Sequence, residues 1–206
     1  MSQLAVVGNQ GMSANPFSFD AYRIQRKFFT FLGRDFQVFD PNGNLCMYVQ
    51  HKMLTLKDEW NISTDATQRE PLVRVKAREA IGFNITTDVM DAATGSVVGT
   101  VRNKGLKSMV RDAWEVLDPS GNVVGELMED SNGMLRRMLP TFFGMPLIPG
   151  RWHLAIGGNV AMQIVEQRTF FVKTFDITMH SANVDRRFSV GCALLALMKE
   201  LRRERR

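Results

Sequence analysis

The chain has 206 residues, 45% hydrophobic and 23% charged, a globular composition that excludes a disordered or low-complexity protein. Its formal net charge of +5 favours an anionic partner, a membrane surface or a nucleic acid. Two cysteines without a CxxC pattern exclude a disulfide framework and a thiolate metal centre, and no run of 18 apolar residues marks a transmembrane helix.

Residues 1–16 show no periodicity and are expected to form a flexible N-terminus. They carry no basic n-region and no apolar h-region, so no signal peptide is expected and the chain reads as cytoplasmic. Short alternating stretches follow near 22–31, 34–40, 44–51, 53–62, 71–77 and 83–91. They continue near 96–103, 107–117, 122–129, 151–157, 160–166 and 170–179. A dozen short strands separated by turn signals predict an all-β barrel or sandwich.

The turns have a mechanism. "FDPNGNL" (39–45) and "LDPSGNV" (117–123) share Asp-Pro-x-Gly-Asn. The aspartate caps local amides, proline fixes φ, and glycine supplies the left-handed position of a short hairpin. "MDAATGSV" (90–97) is a longer relative, and "AIGGN" (155–159) reads as another hairpin turn.

Aligning the halves exposes a repeat. Asp40 and Asp91, Gly43 and Gly95, Lys52 and Lys104, Asp58 and Asp112, and Trp60 and Trp114 keep their order at offsets of 51 to 54 residues. Strand, hairpin, strand, basic connector and Trp strand thus occur twice. A degenerate third copy runs from Trp152 to His180. The intervening stretch 131–149 breaks the alternation and is expected to be a short helix or an ordered loop.

The C-terminus departs from this pattern. "NVDRRFSVGCALLALMKELRRERR" (183–206) predicts a helix over about 185–201 whose segment Phe188–Met198 has almost no polar face. Eleven residues rise about 16 Å, too short for a ~30 Å hydrocarbon core. A closed barrel provides an apolar interior for such a helix, and Ser189, Gly191, Ala193 and Ala196 keep it slim; the alternative is insertion into a bilayer from one side. Each repeated hairpin then buries an apolar face, the sheet has no free edge, and the two tryptophans occupy equivalent core positions.

The segments "FQVFDPNGNLCMYVQHK" (36–52), "LTLKDEWNI" (54–62), "KSMVRDAWEVLDPSGNVVGEL" (107–127) and "DRRFSVGCALLALM" (185–198) together resemble the tubby C-terminal-like superfamily, which includes LURP-one-related proteins and phospholipid scramblases. The resemblance spans about 20–200 and is nearest to the LURP-one-related proteins. It implies one domain over 17–206, a mainly β fold with a closed antiparallel barrel of about twelve strands enclosing the C-terminal helix. Tubby domains bind phosphorylated inositol lipids through basic side chains, but those residues find no position-by-position match here. A scramblase's calcium segment and proline-rich N-terminal region have no counterpart either.

The residues themselves offer little catalytic chemistry. Asp58 and Asp112 are a formal carboxylate pair, yet their equivalent placement reads as two similar turn anchors. His51, His153 and His180 lack metal-ligand spacing. No nucleophile elbow and no phosphate-binding loop occur, so neither an enzyme nor a bound cofactor is expected. An enzymatic reading would need His153 beside an acidic residue in a cleft near 131–151. The basic residues carry more. Lys52 and Lys57 on the first connector, and Arg102, Lys104, Lys107 and Arg111 on the second, form an anion-binding patch if the connectors meet. The bland reading is a solvated face with intrastrand ion pairs. Aromatics do not interleave with these cations as a stacking platform requires, which argues against nucleic acid. The expected activity is therefore non-catalytic binding of an anionic ligand or phospholipid headgroup, with the protein peripheral at a membrane; the alternative is a protein-interaction or structural module without a small ligand.

Overall fold

The computed structural model describes residues 15–27, 33–52, 59–78, 85–103, 113–130, 148–167, 169 and 172–203. The expected dozen strands are present and in order. They are β1 (Ala21–Lys27), β2 (Gly33–Phe39), β3 (Leu45–Lys52), β4 (Glu59–Ser63), β5 (Pro71–Ala77) and β6 (Thr86–Asp91). β7 (Val97–Asn103), β8 (Ala113–Leu117), β9 (Val123–Glu129), β10 (Arg151–Ile156), β11 (Asn159–Glu166) and β12 (Thr174–Met179) complete the sheet, and the helix α1 spans Arg186–Arg203. Residues 131–147, most of the stretch expected to be a short helix or loop, lie outside the described residues, as do Asp58 and Asp112.

Each strand pairs antiparallel with its sequence neighbours, and β1 pairs with β12 through Ile24↔Phe175 to close a twelve-stranded barrel. Alternation sorts the side chains. On β5, Val73 and Val75 are fully buried, while Arg74 and Lys76 face outward. Closure leaves no unpaired edge.

The turn chemistry holds. Asp40 Oδ1 accepts the amides of Asn42 (2.9 Å) and Asn44 (2.8 Å), and Asp118 Oδ1 accepts that of Asn122 (2.9 Å). Gly43 and Gly121 take φ of 83° and 89°, where a β-carbon is disfavoured. In "AIGGN" both central glycines have positive φ, the conformation of a tight hairpin.

Three four-stranded units make the barrel. In the last strand of each, the second residue is aromatic and buried: Trp60 in β4, Trp114 in β8 and Phe175 in β12. The third copy is thus real in the fold, its tryptophan replaced by phenylalanine. Trp152, also buried, stands instead on β10, against Phe175 at 6.2 Å between ring centroids.

α1 fills the interior. From Phe188 to Met198 every residue is buried except the half-buried Leu195. Burial of each large apolar side chain contributes roughly 1.5–3 kcal/mol. The small residues are where the sheet approaches: a β-carbon on Gly191 would lie 3.0 Å from the methyls of Val89. The helix start is fastened in three ways. Asp185 Oδ1 caps the amide of Arg187 at 2.8 Å. Arg186 pairs with Asp20 ahead of β1, and Arg187 pairs with Asp91 at the β6–β7 turn.

Candidate anion-binding rim

An antiparallel barrel with sequential pairing has two unlike rims. The β2–β3, β4–β5, β6–β7, β8–β9 and β10–β11 turns close one end, hereafter the turn rim. The stretches joining β1 to β2, β3 to β4, β5 to β6, β7 to β8, β9 to β10 and β11 to β12 leave and re-enter at the other, the connector rim. β12 ends at the turn rim, so α1 starts there, beside Asp20 and Asp91. Its far end is at the connector rim, where Lys199 Nζ stands 4.3 Å from the centroid of Trp114, near the start of β8.

Two of the six candidate cations stand on described strand ends at the connector rim. Lys52 is the last residue of β3. Arg102 is the penultimate residue of β7. Lys57, Lys104, Lys107 and Arg111 lie outside the described residues, between strand ends that border this rim. Arg102 is already engaged: its Nε and Nη2 donate to Glu115 Oε2 at 2.9 and 2.6 Å across the β7–β8 register. Arg78 on Asp88 (2.6 Å) and Lys173 on Glu166 (3.0 Å) are likewise ion-paired. Arg102, Arg78 and Lys173 thus each have a local carboxylate partner at the strand ends.

The basic stretch 199–203 closes the helix. The fold sends it through the barrel, so Arg202 and Arg203 continue α1 at the connector rim. The signal for this was parity: after an even number of antiparallel strands, a threaded helix starts at the turn rim. Its 18 residues then rise about 27 Å to the other end.

Three other features among the described residues bear on chemistry. His153 does sit beside an acid, with Nδ1 2.8 Å from Asp130 Oδ1 on the outer face of β10. Opposite it the neighbouring strands present Met128 and Gln163, neither of them a nucleophile. Among the described residues no three His, Cys, Asp or Glu side chains assemble into a metal set. A groove of about 540 Å³ lies elsewhere, between β1, β2 and β12, and its Arg23 and Asp176 pair with each other at 2.8 Å. Last, a buried polar strip crosses the outer face of β2–β4. Tyr48 donates to Asp35 Oδ2 at 2.8 Å, and burial, then that carboxylate, pushes the phenol up to about 12. Among the described residues Asp35 Oδ1, Asn61 Oδ1 and Ser63 Oγ meet no hydrogen-bond partner. No sequence signal distinguished these outward polar positions from an ordinary solvent face.

Comparison with known proteins gave two matches. The LURP-one-related family matches residues 45–196. An X-ray structure of an Arabidopsis thaliana protein is 13% identical, covering 93% of this chain and 99% of that one at a TM-score of 0.49. No curated protein matches. No helix among the described residues is long and apolar enough to cross a membrane. With its twelve-stranded closed barrel, its enclosed C-terminal helix and a family match over most of its length, the chain belongs to the LURP-one-related family of the tubby-like superfamily.

Proposed function

We propose that this barrel is non-catalytic and binds anionic phospholipid headgroups at a membrane surface through Lys52, Lys57, Arg102, Lys104, Lys107 and Arg111. The observation that supports it is the strand register, by which the ends of β3 and β7 border one rim. Distance favours an extended surface over one small anion. β3 and β7 are four steps apart on a ring of twelve. At ~4.8 Å per strand and ordinary tilt, their ends stand roughly 20 Å apart. A single phosphate does not span that gap; an array of headgroups does. Each cation near an anionic bilayer contributes on the order of 1 kcal/mol, so the set gives modest, salt-sensitive attachment. Arg102, held by Glu115, contributes least.

Vesicle flotation tests this reading. At low salt the protein is expected to float with phosphatidylserine-containing vesicles and not with pure phosphatidylcholine. Charge reversal at Lys104 and Lys107 is expected to reduce the floating fraction several-fold. Equal failure to float with both compositions would overturn it, and protein partners retained at high salt would then favour an interaction module.

A further inference from the structure

The wall of the barrel carries a hollow that follows from side-chain size. On the outer face of β1, Ala21, Arg23 and Gln25 alternate with the buried Tyr22 and Ile24. Ala21 is the small one of the three, and larger groups surround it. Thr178 is its partner on β12, Arg23 follows it along β1, and Phe39 and Pro41 border it on the β2 side. The result is the groove of about 540 Å³ between β1, β2 and β12, a volume that suits a small organic molecule. It lies toward the turn rim, where β1 begins and where Pro41 belongs to the β2–β3 turn.

Strand register gives the groove two flat walls. Arg23 stands directly opposite Asp176 on β12 and directly opposite Phe39 on β2. The Asp176 carboxylate accepts from Nε (2.8 Å) and Nη2 (3.3 Å) of Arg23, which draws the guanidinium plane toward β12 and away from Phe39. The half-buried Phe39 ring borders the other side. A flat ring entering between them stacks on the guanidinium with one face and meets the Phe39 ring with the other. Charge narrows the class of ligand. Asp176 neutralises Arg23, and the Asp40 carboxylate is spent on Asn42 and Asn44 of its own turn. A phosphate or carboxylate therefore finds no uncommitted cation here. The Thr178 hydroxyl and the Gln25 amide, which also line the groove, offer hydrogen bonds to a polar ring edge.

We propose that this groove binds a small uncharged aromatic molecule with a hydrogen-bonding edge, an indole or a similar heterocycle, held between the Phe39 ring and the ion-paired guanidinium of Arg23. The inference goes beyond headgroup binding and does not depend on it, since none of the groove's lining residues is among the six cations of that reading. Ala21 sets the depth of the site. Asp176 is a positioning residue: without it Arg23 is free to swing across onto Phe39, directly opposite, and to close the space by a cation–π contact. The walls stand on strands paired on both sides, so the site is largely pre-formed.

Nuclear magnetic resonance on the full chain tests this, with indole as the probe. Indole is expected to shift the Arg23 Nε–H signal and the backbone amides of β1, of the β2–β3 turn and of β12 in a saturable way, and to leave the β8–β9 turn unmoved. Phenylacetate, which is anionic, and cyclohexylmethanol, which is not flat, are expected to bind several-fold more weakly. Ala21→Leu fills the hollow and is expected to abolish the indole shifts. Asp176→Ala is expected to weaken binding several-fold, with the Arg23 Nε–H signal moving upfield as the guanidinium settles over the Phe39 ring. Thermal melts show which variants fold; if one does not, the comparison of the three probes on the wild type still decides. No saturable shift with indole overturns the proposal. So does an Ala21→Leu protein that binds like the wild type, or cyclohexylmethanol that binds as well as indole. Shifts given by a Gly-Trp-Gly peptide and not by free indole overturn it in favour of protein docking. Vesicle flotation of Ala21→Leu is expected to equal that of the wild type, so this site and the headgroup reading fail separately.

Discussion

Replacing Gly99 by alanine puts a methyl group where the ring of Phe188 stands. The added carbon would lie 2.5 Å from Cδ2 and 2.6 Å from Cε2 of that ring. Carbons in contact settle at ~3.5–4.0 Å, so the overlap is roughly 1 Å. Overpacking of this kind costs about 1–3 kcal/mol, while removing a glycine from a strand returns about 0.5–1 kcal/mol. The net loss is roughly 0.5–2 kcal/mol, or about 2–6 °C in Tm for a chain of this size. Phe188→Ala alone is expected to cost about 3–5 kcal/mol, since the ring is buried. Combined, the changes are not additive. With the ring gone the new methyl has space, so Gly99→Ala becomes neutral or slightly stabilising. The coupling is about 1–3 kcal/mol and favourable. Urea or thermal unfolding of the four proteins measures it. If the double variant equals the sum of the singles within about 0.5 kcal/mol, the β7 backbone and the helix do not meet and the threaded architecture is wrong.

The turn aspartates make stability acid-sensitive. Hydrogen bonds from Asn122, side chain then backbone, hold the Asp118 carboxyl below the usual carboxylate range. At Asp91 the Thr94 amide does most of the same work, opposed by partial burial and helped by Arg187. A folded value below the unfolded one means the stabilisation is complete above the unfolded pKa of about 4 and is lost as pH falls through the folded value. Melts between pH 7 and pH 2 are expected to show this decline, and Asp118→Ala to lower Tm at neutral pH while making the decline shallower; an unchanged profile would refute the cap. The thiols give a second check on burial. Burial pushes Cys46 up to about 11, helped by the nearby Asp40 charge, and pushes Cys192 up as well. Alkylation at pH 8 is expected to be slow at both in the native protein and fast in denaturant. Fast native labelling of Cys192 would place that part of the helix outside the barrel.

Much of this was legible in the residues because the signals were local. Asp-Pro-x-Gly-Asn fixes its own turn, so Asp40 and Asp118 behaved as expected. The apolar run 188–198 was too short for a bilayer and too greasy for a surface, which left the inside of a sheet. The third unit was faint because Phe175 holds the place of a tryptophan and "IGGN" that of an Asp-Pro turn. What the residues did not disclose depends on register. Glu115 meets Arg102 only because β7 and β8 pair as they do, and no spacing along the chain announces it. His153 and Asp130 are 23 positions apart and meet across the β9–β10 junction. That the ends of β3 and β7 and the far end of α1 border one rim likewise follows from strand parity, which counts elements rather than residues.

The most direct measurement of the functional account is amide hydrogen exchange on the wild-type chain, with and without phosphatidylserine-containing vesicles. Slower exchange on vesicle binding is expected in the connectors 28–32, 53–58 and 104–112 and in residues 199–203, with the turns 40–44, 92–96 and 118–122 unchanged. Protection centred on the turns, or spread evenly around the barrel wall, would contradict it.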